Sequence, residues 1–119
     1  MRAEVMRTLA CLADIEYQRR VWVDKTFPSP GYFDDFDEAV HALYDDCQVL
    51  PDPMGRVGSV LIDGEEVDRL KALGVALDAV MEDLGEADDV EYLDDARWPD
   101  VVAAATGALA AMTRAWGFE

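Results

Sequence analysis

The sequence predicts a mainly α protein: one compact bundle of four or five helices, with room for one short β pair. Three observations predict it. Apolar residues recur three and four positions apart along most of the chain, which lays them on one face of a helix. Clusters of proline and glycine, "FPSPGY" and "LPDPMG", cut that periodicity into pieces of helix length. No internal repeat and no long linker interrupts the chain, so residues 1–119 read as a single domain.

Val5, Leu9 and Leu12 predict the first helix over residues 2–12. Asp14 is placed to cap a second, "IEYQRRVW", with its carboxylate. "RRVWVDKTF" also fits an extended segment, because Val21 and Val23 are β-branched and flank Trp22. The helix is preferred to about Trp22. After "FPSPGY", Asp34 or Asp35 caps a third helix that runs to about Val49. Phe36, Val40, Leu43, Cys47 and Leu50 form its buried seam. "RVGSVLI" fits either a short strand, whose "SVLI" would pair with "VWV", or a helical turn followed by extended chain.

Asp63 and Glu66 have the D-x-x-E spacing of a capping box, in which each side chain covers the other residue's free backbone donor. The long helix they open runs to about Leu84. Its apolar face is Leu70, Leu73, Leu77, Val80, Met81 and Leu84, and Gly85 caps its C-terminus. "EADDVEYLDDA" reads as an acidic connector, with eight acidic residues and no basic one between Glu82 and Asp95. The last helix carries Pro99 in its first turn. Trp98, Val102, Ala105, Leu109, Met112 and Trp116 share one of its faces. The opposite face, Ala103, Gly107, Ala110 and Ala111, has no charge. Such a helix is either the centre of the bundle or docks its small-residue stripe on a partner or a second copy.

Charge narrows the function. The chain holds 26 acidic and 10 basic residues, a net charge of −16. Nucleic acid and anionic membranes would approach against like charge, so neither is an expected partner; a basic protein is. Asparagine is absent and lysine occurs only as Lys25 and Lys71, a bias expected of a GC-rich genome or, second, of a salt-loving host; in either case part of the acidity is background. The N-terminal segment lacks the apolar core of a signal peptide, and no apolar run approaches the ~20 residues that cross a bilayer. The expected location is the cytoplasm, with Cys11 and Cys47 as reduced thiols.

Few residues offer chemistry. Asp37, His41 and Asp45 follow one another at i, i+4 and i+8 on one stripe, where a carboxylate–imidazole pair could hold a divalent metal. The two aspartates stand ~12 Å apart along the axis, so the three cannot share one ion. A nucleophile would have to meet His41, and Cys47 falls on the buried seam, turned away from it. There is no G-x-S-x-G elbow, and "GRVG" is too short to cradle phosphate. No catalytic residue and no cofactor is expected.

The remaining signal is a surface. Tyr32, Phe33 and Tyr44 are interleaved with Asp34, Asp35, Asp37, Glu38, Asp45 and Asp46. Aromatic rings ringed by carboxylates suit a basic protein: the rings supply buried area and the charges speed encounter. Phe33 and Tyr44 fit this surface and the flank of the core equally well; Tyr32, beside a glycine, is expected to be exposed.

"LADIEYQRRVWVDKTFPSPGYFDDFDEAVHALYDDCQVLPDP" and "YLDDARWPDVVAAATGALAAM" resemble a family of small acidic cytosolic proteins from actinobacteria, chiefly relatives of Streptomyces, with no assigned activity. The resemblance spans nearly the whole chain and implies a bacterial cytosolic protein. Size and charge are also similar to those of immunity proteins, which neutralise toxins, an analogy without a motif. The expectation is a non-enzymatic acidic protein-binding module acting as an immunity or inhibitor protein on a basic partner. The alternatives are a metal-binding protein or enzyme centred on His41, and a structural homodimer built on Ala103, Gly107, Ala110 and Ala111.

Overall fold

Helix α1 (Arg2–Leu12) buries Val5, Leu9 and Leu12 completely or nearly so, as their spacing requires. The structure, a computed structural model, describes residues 1–114. Asp14 caps α2 (Ile15–Tyr17) by accepting the Tyr17 N–H at 3.0 Å, and the helix runs on as a π-helical turn over Gln18–Val23. Gln18 is fully buried yet fully used. Its Nε2 donates to the carbonyls of Cys11 and Leu12, and its Oε1 accepts from Trp98 Nε1, each at 2.9 Å. One side chain thus bonds two carbonyls at the end of α1 and ties them to the last helix.

Asp35, not Asp34, caps α3 (Phe36–His41), accepting the Glu38 N–H at 2.9 Å. This helix continues as a π-helical turn, Ala42–Asp46, and ends short of Val49. The reason is local: the Cys47 N–H reaches back to Ala42, and Gln48 adopts φ 54°, which no right-handed helix tolerates. Of its expected seam, Phe36, Leu43, Cys47 and Leu50 are buried and Val40 is half-buried.

The β pair that the sequence left open does not form among the described residues. "VWV" lies in the π-helical turn, where Val21 and Trp22 are core residues. After a 3-10 turn (Pro53–Arg56), "SVLI" curls into a loop in which the Arg56 carbonyl accepts the N–H groups of Ser59, Val60 and Leu61. Those donors are spent locally, and the only bridge, Val57 to Leu61, closes the loop on itself among the described residues.

Helix α4 (Glu65–Leu84) starts one residue later than the capping box predicts. Gly64 is its N-cap, at φ 105°, and Asp63 bonds the adjacent Gly64 N–H. Glu66 turns inward to Arg2, and its Oε1 accepts the Ile62 N–H at 3.0 Å rather than that of Asp63. The guanidinium and carboxylate meet twice, at 2.9 and 2.7 Å, and Arg2 also donates to the carbonyls of Val60 and Met112. Leu70, Leu73, Leu77 and Val80 are buried as expected, and Gly85 ends the helix at φ 53°.

The acidic connector contains a helix, α5 (Asp89–Asp94), with Tyr92 and Leu93 buried and the Tyr92 hydroxyl donating to the Gly85 carbonyl. Helix α6 (Trp98–Arg114) packs against both α4 and α1. It buries Trp98, Val101, Ala105, Ala108, Ala111 and Met112, while Val102 and Leu109 are half-buried. Trp116, expected on the same face, lies outside the described residues. The described residues therefore form six α-helices rather than four or five, and contain no strand.

Trp22, Phe36, Tyr92 and Trp98 meet at the centre. Phe36 lies 4.5 Å from Tyr92 and 5.6 Å from Trp98, ring centre to ring centre, and Trp22 lies 6.1 Å from Phe36. Their tilted and edge-on contacts are those aromatic rings prefer. This cluster fixes where α3 and α5 begin, and so where the acidic surface stands.

Candidate functional site

The run from Tyr32 to Glu38 divides into residues that serve the fold and residues that face outward. Asp34 serves the fold. One of its oxygens accepts from Tyr17 Oη at 2.7 Å and from the buried Trp22 Nε1 at 3.0 Å. Asp35 is committed to the α3 cap. Tyr32 is half-buried rather than exposed, since its hydroxyl bonds Tyr17 Oη at 2.5 Å and its ring packs 6.3 Å from Phe27. The expectation that these residues form an open surface is corrected to that extent.

Phe33 faces outward. Its ring is 55 % exposed and rests 5.7 Å from Phe27. Asp37, Glu38, Asp45 and Asp46, on α3 and the turn that continues it, are exposed, and Glu38 and Asp46 share a cleft with Phe33. Tyr44 is half-buried and its hydroxyl donates to Asp78 on α4 at 3.3 Å. Burial, and then the Asp78 charge, push that hydroxyl up to about 12. His41 Nδ1 stands 2.6 Å from Asp45, both well exposed, and Asp37 is not part of that pair. Among the described residues, no three His, Cys, Asp or Glu side chains converge where they could hold an ion.

Between α1 and α3 lies a cleft of about 140 Å³. Phe33 and Tyr32 stand at one side, Ala39 and Ala42 form a wall, and Thr8 and Cys11 come from α1. Glu4, Asp34, Glu38 and Asp46 bring four carboxylates to it, and Arg7 is its one cation among the described residues. The Cys11 thiol is raised by burial, which keeps it protonated. Cys47 is buried, its thiol is pushed up to about 11 by burial, and it contacts Glu4 Oε2 at 3.6 Å. Both cysteines are free. Such thiols are poor nucleophiles.

A second concavity was not anticipated from the sequence. A groove of about 460 Å³ runs between the start of α3 and the α4–α5 connection, lined by Lys25, Asp35, Asp37, Glu86, Asp88 and Asp89. Asp89 accepts the Phe36 N–H at 3.1 Å. Burial pushes its carboxyl up; the Phe36 bond opposes this, and Asp35 and Asp37 add to it. The sequence signal was the uninterrupted acidic run from Glu82 to Asp95, but nothing in it told that the run folds back beside residues 35–37.

Five arginines hold ion pairs among the described residues. Arg69 and Arg114 pair with Glu65, Arg97 with Asp83 and Asp95, Arg19 with Asp94, and Arg2 with Glu66. Asp37, Glu38 and Asp46 have no basic partner among the described residues, so their charge faces solvent uncompensated. On α6, the small-residue stripe is divided: Ala111 is buried, Gly107 and Ala110 are half-buried, and Ala103 is exposed. A Cβ on Gly107 would stand 3.3 Å from Arg69 Nη1, so the Arg69 side chain already covers part of that stripe.

No helix among the described residues is long and apolar enough to cross a membrane. A family model described as a domain of unknown function (DUF7945) matches residues 1–117. No curated protein and no solved structure matches the chain.

Proposed function

Since the chain belongs to that family, DUF7945, whose function is unknown, its surface must carry the reading, and we propose that it is a non-enzymatic binding module that holds a basic protein on its α1–α3 face, as an immunity or inhibitor protein does. The single observation that supports this best is the exposed Phe33 ring, which shares the α1–α3 cleft with the carboxylates of Glu38 and Asp46. An exposed aromatic gives a partner area to bury, and unpaired charge gives it a direction of approach. Unpaired carboxylates also stand elsewhere among the described residues, Asp68, Glu82, Glu86, Asp88 and Glu91 for example, so it is the exposed ring beside the charge that singles out this face. The resemblance to small acidic actinobacterial proteins supports a bacterial, cytosolic setting for the reading.

The test is capture on the immobilised protein from nuclease-treated host lysate, at low and high salt, beside the variant Asp37→Lys, Glu38→Lys, Asp46→Lys. Asp34 and Asp35 stay unchanged because they hold the fold together. A basic protein retained at low salt by the parent and lost by the variant is the expected result. Equal retention by both, or none by the parent, overturns the reading.

A further inference from the structure

We infer that the cleft between α1 and α3 seats a single arginine side chain of the basic partner. The inference rests on the protein-binding reading of the same face and names the group recognised there. Three features select arginine. The cleft combines a partly exposed ring, Phe33, with carboxylates arriving from separate elements: Glu4 from α1, Asp34 from the loop, Glu38 and Asp46 from α3. A planar guanidinium offers five N–H donors and stacks on an aromatic ring; an ammonium is a compact, strongly hydrated charge that does neither as well. The wall of Ala39 and Ala42 accepts an apolar stem.

The groove between α3 and the α4–α5 connection lacks this combination. The groove beside Asp88 and Asp89 is as acidic, but its aromatic, Trp22, is buried in the core. Acidity alone therefore does not distinguish the α1–α3 cleft; the accessible ring within it does. Arg7 lines the cleft as its one cation among the described residues and opposes a second positive charge there. Removing Arg7 should then strengthen binding, which a purely structural role for Arg7 would not do.

The experiment adds a blocked glycine pentapeptide with one central arginine to the isotope-labelled full chain and follows backbone amide shifts. Lysine and citrulline peptides of the same frame run beside it. The expected result is saturating shifts at Thr8, Cys11 and Phe33. Arginine should bind about two- to fivefold tighter than lysine, and citrulline should leave the cleft silent. Phe33→Ala should weaken the arginine peptide about two- to fivefold, and Arg7→Gln should strengthen it by a similar factor. Equal, diffuse shifts from arginine and lysine, centred on Asp37 and Asp45 without the cleft residues, would overturn the arginine seat while leaving the basic-partner reading intact. No shift from any peptide overturns the seat as well, and capture from lysate then judges the wider surface separately.

Discussion

Trp22 and Asp34 are joined across the boundary between core and surface: the indole Nε1 donates to the carboxylate at 3.0 Å while the ring itself is almost fully buried. The same oxygen accepts from Tyr17. Asp34 is therefore an acidic residue of this face whose loss the fold should feel. Asp34→Ala leaves a buried indole N–H unpaired and should cost about 1.5–3 kcal/mol, read from chemical denaturation. Asp34→Asn keeps an acceptor and should recover part of the loss. Stability unchanged in the alanine variant would show that water replaces the carboxylate freely.

The Arg2–Glu66 pair is the second anchor, with both side chains at least nine-tenths buried. Glu66→Leu strands the guanidinium without a counter-charge and should destabilise by about 3–5 kcal/mol. Adding Arg2→Met should restore part of that, but not all, because the Val60 and Met112 carbonyls lose their donor. A denaturation midpoint in the double variant below that of Glu66→Leu would contradict this account.

Asp89 makes stability depend on pH in a stated direction. Its carboxyl is raised above the ordinary range by burial, with Asp35 and Asp37 adding to the effect, so the folded chain binds that proton more tightly than the unfolded chain does. Stability from this group grows as pH falls through the folded value and stops growing near the unfolded value of about 3.9. At neutral pH the ionised group weighs against the fold. Asp89→Asn keeps an oxygen for the Phe36 N–H and removes the charge. It should raise the melting temperature at pH 7 and flatten the pH dependence just above about pH 4. A lower melting temperature at pH 7 would mean that the charged bond to Phe36 outweighs the burial and the neighbouring carboxylates.

Much of the helical framework was legible because it is local. Val5, Leu9 and Leu12 on α1, and Leu70, Leu73, Leu77 and Val80 on α4, are buried where their spacing puts them. Asp14 and Gly85 cap as their residue types suggest. What was not legible depends on partners distant in sequence. Glu66 has the spacing of a cap, yet Arg2, 64 positions away, draws it inward. Asp34 and Asp37 look alike in one acidic run, and only the positions of Tyr17 and Trp22 make the first structural and leave the second to solvent. Helix α5 was hidden because its six residues show one buried pair, Tyr92–Leu93, too short a pattern to set against eight carboxylates.

The central claim is that unmatched charge on α3 binds a basic protein. The most direct measurement is the dissociation constant of the captured protein for the parent and for the Asp37→Lys, Glu38→Lys, Asp46→Lys variant, by calorimetry at low salt, with circular dichroism confirming that both are folded. Reversing the two first-turn residues should cost the helix only about 0.3–1 kcal/mol each, so the variant remains native. The account predicts affinity lower by on the order of 100-fold or more, since like charges are then opposed across the contact. Affinities within about twofold of each other, less than 0.5 kcal/mol, would place the partner elsewhere and contradict it.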